Sequence, residues 1–316
     1  MNMPWCASCD RYSPLMTRVT LATDQHAPLP LVVRHPQGTS ARGVVIFCHG
    51  LGSSGEAYGT LTETWVQQGY VVIHPTFADS IFAVARRHPE LGLDPEDPSL
   101  VLWARQRPEA RMTMFRILHD PDHWMDRVRI VRAVLDGLGD VLDAAGLARD
   151  ADLPLAIAGH SFGAYTAQLF AGAEIGLPDG PRRFHDPRFR AALVLSGQGR
   201  NQQGLRDGSW NAITGPMLTV TGKADGGAKG QDWHWKCEPF HLSPPGDKVL
   251  VVLDDANHYL GGLTPEGDTI KDQFDALKLV TTAFLDAHVA RKPGARSWLD
   301  LVEDRIGDCP VIFESK

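Results

Sequence analysis

Short runs of apolar residues recur along the chain, each bounded by glycine, proline or polar positions. They stand at Val44–Cys48, Val71–His74, Leu155–Ala158, Ala191–Ser196, Met217–Gly222 and Val249–Leu253. The runs are continuous rather than alternating, which suits strands covered on both faces. Two further β segments, Thr17–Thr23 and Leu29–Arg34, open the chain, with Pro28 and Pro30 marking the turn between them. Elsewhere the period changes to that of a helix. Across Trp124–Leu142, the residues Val128, Val131, Val134, Leu135, Leu138, Val141 and Leu142 recur at three- and four-residue intervals and form one buried stripe. Arg127, Arg129, Arg132, Asp136 and Asp140 are expected on the solvated side of that helix. Strands alternating with helices predict an α/β fold, a mostly parallel central sheet of about eight strands with helices on both faces.

One segment breaks the rhythm. Residues 79–123 are rich in proline and charge, as in Asp94-Pro95-Glu96-Asp97-Pro98, and carry no strand pattern. They read as a lid-like insertion over the strand ends, or as an inert surface excursion. The whole chain, residues 1–316, reads as a single domain, because α/β proteins of this length often build one core.

Composition narrows the function classes. A formal net charge of -7 argues against a nucleic-acid surface, which is normally basic. No apolar stretch approaches the roughly 20 residues of a membrane helix. The first 13 residues hold no apolar h-region, so no secretory signal is visible and a cytoplasmic location is expected. The five cysteines, at 6, 9, 48, 237 and 309, are odd in number and do not form a disulfide framework. Cys6-Ala7-Ser8-Cys9 has CxxC spacing but no second pair to complete a zinc site. Cys48 ends an apolar strand and reads as a small core residue.

The strongest chemical signal is Gly159-His160-Ser161-Phe162-Gly163, placed where the run Leu155–Ala158 meets a helix-prone stretch. A serine in a Gly-x-Ser-x-Gly turn between strand and helix is held in strained backbone geometry with its hydroxyl exposed. Ser161 is the candidate nucleophile, and a serine needs a base that a carboxylate orients. After strand Met217–Gly222 comes Lys223-Ala224-Asp225-Gly226-Gly227, and after Val249–Leu253 comes Asp254-Asp255-Ala256-Asn257-His258-Tyr259. Asp225 and His258 thus follow strand ends at the edge where open α/β sheets bind ligands. Asp254 and Asp255 compete with Asp225 for the acid but lie too close in sequence to reach the far nitrogen of His258. His160 is expected to point away from the serine hydroxyl.

A site for the developing oxyanion is also needed. Strand Val44–Cys48 runs into His49-Gly50-Leu51-Gly52-Ser53-Ser54-Gly55, a Gly-rich turn that lacks the Gly-Lys-Ser/Thr ending of a phosphate-binding loop. The N–H groups of Leu51 and Phe162 are the expected oxyanion donors, with His49 bracing the loop. Trp210, Trp233, Trp235, Phe240 and Tyr259 surround the motifs. Trp233-His234-Trp235-Lys236-Cys237 reads as a loop whose Trp233 and Trp235 wall a substrate pocket, joined by Tyr259 and by Gln198 of Ser196-Gly197-Gln198-Gly199. Ordinary packing is the alternative for these aromatics. His234, Cys237 and His241 lack a fourth ligand at metal spacing, so neither a metal nor a cofactor is expected.

Together, His49-Gly50-Leu51-Gly52, Gly159–Gly163, Asp225 and His258 resemble the α/β-hydrolase superfamily over about residues 29 to 290. Within it, the pattern is similar to the serine esterases grouped with dienelactone hydrolase-like, chlorophyllase-like and platelet-activating-factor-acetylhydrolase-like proteins. Dienelactone hydrolases themselves use a cysteine where this chain has Ser161. The disulfides and signal peptides of secreted cutinases are not evident. The resemblance implies an α/β-hydrolase fold and hydrolysis of a small-molecule or lipid-like carboxylic ester through an acyl-enzyme. The same machinery could serve as a thioesterase, amidase or acyltransferase. The scaffold could also serve as a non-catalytic ligand-binding module.

Overall fold

Valine, isoleucine and leucine crowd the apolar runs, and each run becomes a strand buried along its whole length. The computed structural model describes residues 3–5, 11–23, 28–150, 152–301 and 305–316. Cys6 and Cys9 lie outside the described residues. The strands are β1 (Pro14–Leu21), β2 (Leu29–Pro36), β3 (Gly43–Cys48), β4 (Tyr70–Pro75), β5 (Leu155–His160), β6 (Glu174–Leu177), β7 (Gly180–Arg183), β8 (Phe189–Leu195), β9 (Met217–Gly222), β10 (Lys248–Leu253), β11 (Arg305–Ile306) and β12 (Cys309–Ser315). The helices are α1 (Gly59–Gln67), α2 (Ile81–Arg87), α3 (Leu100–Trp103), α4 (Pro108–His119), α5 (Pro121–Asp136), α6 (Leu138–Ala144), α7 (Phe162–Ala171), α8 (Trp233–His241), α9 (Lys271–His288) and α10 (Pro293–Leu301).

Ten strands form one sheet in the order β1-β2-β4-β3-β5-β8-β9-β10-β12-β11, and β6 and β7 form a separate hairpin. The run from β4 to β10 is parallel, and antiparallel strands extend it at both edges. The sheet is therefore larger than the eight strands expected, because the C-terminal β11 and β12 add to its edge beside β10. After β3 the chain moves to β4 on one side and then crosses to β5 on the other. A reversal of this kind opens a crevice beyond the carboxyl ends of β3 and β5.

Alternate residues of each strand enter different cores. Val44, Ile46 and Cys48 pack with Val131 and Val134 of α5 and with Phe162 and Phe170. Val45 and Phe47 pack on the opposite face with Trp65 of α1 and Phe284 of α9. Helices thus cover both faces, and the continuous apolar runs are explained.

Three local expectations need correction. The stripe at Trp124–Leu142 belongs to two helices that break at Gly137, where a side chain would sit 2.8 Å from Leu21 Cδ1. Arg127 is not solvated; it is 1% exposed, in the interior. The stretch starting at Trp233 is helix α8 rather than a loop, and Asp232 caps it by accepting the His234 N–H at 3.0 Å.

Residues 79–123 fold as helices α2, α3, α4 and the first turn of α5, joined by short 3-10 turns at Pro89–Leu91 and Ala104–Gln106. They enclose a small core of their own, including Ile81, Val84, Leu100, Met114 and Ile117, and Leu51 packs against it. Among the described residues, no helix is long and apolar enough to cross a membrane.

Candidate active site

The turn from β5 into α7 is tightly determined. Ser161 has φ 54° and ψ -119°, a backbone region that residues with a side chain rarely occupy. Such geometry costs on the order of 1–3 kcal/mol and persists only when its surroundings enforce it. Two glycines allow it. A Cβ at Gly159 would overlap the Gly163 carbonyl of the following helix, and one at Gly163 would overlap the Cys48 carbonyl at the end of β3.

Ser161 Oγ lies 3.0 Å from His258 Nε2, and His258 Nδ1 lies 2.9 Å from Asp225 Oδ1. An ionised carboxylate can only accept, so Nδ1 carries the proton and Nε2 faces the serine hydroxyl as an acceptor. Asp225 is wholly buried, while a third of the His258 side chain is exposed. Asp225 Oδ2 accepts a second hydrogen bond from Thr221 Oγ1 at 2.9 Å. Burial opposes ionisation of Asp225, but the Lys236 ammonium, the hydrogen bond and charge of His258, and the Ser196 hydroxyl outweigh it and hold the carboxyl below its ordinary value. The competing Asp254 pairs with Lys223 at 2.7 Å, and Asp255 occupies a turn at φ 51°.

The neighbouring histidines are braces. His160 Nε2 donates to the carbonyl of His258 at 2.8 Å. Its Nδ1 accepts from Tyr58 OH at 3.1 Å, and the same hydroxyl accepts the Gly50 N–H at 2.9 Å. This chain of bonds ties the loop after β3, the serine turn and the His258 loop together. Complete burial, reinforced by nearby His258, pushes the His160 pKa down to about 3, so the ring is neutral. His49 braces its loop, donating Nδ1–H to the Gly50 carbonyl at 2.7 Å and accepting the Phe77 N–H at 2.9 Å. Burial, then the charge of Arg127, push His49 down to about 4. Burial also raises the Cys48 thiol to about 12, in keeping with an inert core residue.

Arg127 extends the bracing. Its guanidinium donates to both oxygens of Asp79 at 2.7 Å and to the His49 carbonyl at 2.9 Å. It lies between the rings of Phe77 and Phe162, at 4.2 and 4.1 Å from their centroids. Three loops meet on this one side chain. Position 127 in fact falls within the apolar spacing of α5, between Trp124 and Val131, and only its residue type suggested solvent exposure.

A cavity of about 260 Å³ opens beside Ser161 and His258. Leu51, Gln198, Trp235, Tyr259, Leu118 and Lys236 contribute to its wall. Phe162, the other expected oxyanion donor, opens α7, where the first N–H groups have no intrahelical partner. The side-chain atoms Gln198 Oε1, Gln202 Nε2 and Thr264 Oγ1 are buried without a hydrogen-bond partner on residues of the same wall. Trp233 is not part of it. Its ring stacks on His234 with centroids 3.7 Å apart and packs against the cluster of Cys237, Phe240, Leu250 and Val252. Trp210 is likewise a core residue, its indole N–H donating to Gln168 Oε1 at 2.7 Å. Among the described residues, no group of three or more His, Cys, Asp or Glu side chains converges as a metal site.

Tyr58, Ser196 and Lys236 belong to the arrangement but were not singled out by the sequence. No motif marks Tyr58. Lys236 lies in the very stretch read for its tryptophans. Comparison with models of known families gave no match, and no curated protein is detectably similar in sequence.

Proposed function

We propose that the chain is a serine hydrolase of α/β-hydrolase fold that cleaves carboxylic esters through an acyl-enzyme. The observation that carries this reading is the chain of contacts Ser161–His258–Asp225, at 3.0 and 2.9 Å, on a serine held at positive φ. As Ser161 Oγ attacks the ester carbonyl, its proton passes to His258 Nε2. The carbonyl π electrons move to oxygen, and the N–H groups of Leu51 and Phe162 stabilise that oxyanion. Collapse expels the alcohol, which takes the proton from His258. A water molecule then repeats the attack on the acyl-enzyme, and the acid leaves with Ser161 regenerated. Asp225 holds the imidazole in the required tautomer and stabilises the imidazolium.

Cavity size bears on the substrate. A cavity of about 150 Å³ holds a benzene-sized molecule, so about 260 Å³ has room for a short acyl or aryl group beside Ser161. The test is a panel of p-nitrophenyl esters from acetate to palmitate, with matched thioesters and anilides, run on wild type and Ser161→Ala. Hydrolysis of short-chain esters, lost by a factor of at least about 10³ in Ser161→Ala, is expected. Preferred turnover of thioesters or anilides would redirect the reading to a thioesterase or amidase. Binding without turnover of any member would indicate a ligand-binding module.

A further inference from the structure

Lysine is almost never fully buried unless its charge is met. Lys236 is 3% exposed, on α8, beneath the His258 and Asp225 loops. Its Nζ donates to the Ser196 carbonyl at 3.3 Å and to Ser196 Oγ at 3.2 Å, and lies 3.8 Å from Asp225 Oδ1. Both hydrogen bonds go to Ser196, and the Asp225 carboxylate at 3.8 Å balances the ammonium charge as an ion pair. Ser196 directly follows β8 at φ 53°, its N–H donating to the Val220 carbonyl at 2.7 Å. Its Oγ lies 2.8 Å from His258 Nδ1. A second serine at positive φ and a buried lysine thus converge on the carboxylate–imidazole pair.

We propose that Lys236, acting through Ser196, is a positioning residue that fixes the Asp225 carboxylate and tempers the basicity of His258. The inference rests on the serine-hydrolase reading. A cation beside Asp225 keeps the carboxylate ionised and in place. It also weakens the pull of that carboxylate on a proton at His258, so the imidazole stays unprotonated, and able to act as base, to lower pH. The Ser196 hydroxyl accepts from Lys236 and lies 2.8 Å from His258 Nδ1, whose proton is directed into the same cluster. Other titratable groups face the imidazole. The His160 ring is 4.9 Å away and neutral, Tyr259 is at 5.9 Å, and Glu266 stands on the cavity wall. The Lys223–Asp254 pair beyond β9 and β10 compensates itself.

A structural role alone would make Lys236 a counter-ion that lets Asp225 be buried, and its loss would lower activity equally at every pH. The positioning role makes a different demand. With an uncharged ester, kcat and KM are measured from pH 5 to 9 for wild type, Lys236→Met, Lys236→Arg and Ser196→Ala. In Lys236→Met the acid limb of kcat/KM moves up by about one pH unit. The loss approaches tenfold at pH 6 and is smaller at pH 8.5, with KM unchanged. Lys236→Arg restores the wild-type limb. Ser196→Ala lowers kcat several-fold at unchanged KM and leaves the limb near its wild-type position, because the ammonium remains.

An unshifted limb in Lys236→Met, with uniform loss, overturns the inference. If Lys236→Met does not fold, Ser196→Ala decides, and wild-type kcat there overturns the inference as well. A wild-type enzyme that neither turns over esters nor reacts with a fluorophosphonate refutes the serine-hydrolase reading instead. That outcome is distinct, because it is seen before any variant is made.

Discussion

Replacing Arg127 by methionine separates two accounts of this side chain by their size. An arginine on the solvated side of a helix contributes at most about 1 kcal/mol through an exposed ion pair. In the interior, bonded to Asp79 at 2.7 Å on both oxygens, its removal leaves an uncompensated buried carboxylate. Breaking a buried pair in this way costs about 3–5 kcal/mol. The lost stacking between Phe77 and Phe162 adds up to about 2 kcal/mol where the cation is desolvated. The assay is urea unfolding at neutral pH. With a slope of about 3 kcal/mol/M, the midpoint should fall by about 1 M or more. The double variant Arg127→Met/Asp79→Leu removes both charges and should recover most of the loss, since an apolar replacement of a buried pair is often neutral. A single-variant loss below about 1 kcal/mol, or a double variant that sums the two single losses, would refute the buried-pair account.

Two further outcomes follow from the same geometry. Gly163→Ala drives a methyl group into the Cys48 carbonyl, so it should yield inactive and strongly destabilised protein in a thermal melt, and a variant with wild-type melting and activity would contradict the described packing. Acidification should also destabilise the fold, because His49 and His160 titrate near pH 4 and 3 in the native state and near 6.5 when unfolded. The unfolded chain binds these protons first, so this stability is complete above pH 6.5 and is lost as pH falls. Between pH 6 and 4.5 the two rings together remove about 3–4 kcal/mol, at about 1.4 kcal/mol per unit and ring. Equal urea midpoints at the two pH values would contradict their neutral burial.

Much of this architecture is legible in the sequence, and the gaps have physical reasons. Strands buried on both faces leave continuous apolar runs, so the parallel strands of the sheet emerge to within a few residues. The two glycines of the serine turn are legible because no side chain fits there. Asp225 and His258 are legible because each lies on the loop just after a strand. Arg127 is not legible, because its charge masks a spacing that belongs to the buried stripe of α5. The strand β12 carries Val311, Ile312 and Phe313 after Pro310, a run too short to distinguish from a loop until β10 supplies a partner. The hairpin β6–β7 has strands of four residues each, broken by Gly176, Gly180 and Pro181, which are too short and too interrupted to give an alternating pattern. Helix α8 has Pro239 inside it, and its N-cap Asp232 lies just outside the stretch read as a loop. Lys236 was not legible as part of the site, because its partners Ser196 and Asp225 meet it only through tertiary packing.

The central claim is that Ser161 is a nucleophile activated by His258 and Asp225. Reaction of the folded protein with a fluorophosphonate, read by intact mass and peptide mapping, tests it most directly. The account predicts one adduct on Ser161, none in Ser161→Ala, and labelling slowed by orders of magnitude in His258→Gln. An unlabelled wild-type protein, or labelling that persists in Ser161→Ala, would contradict it.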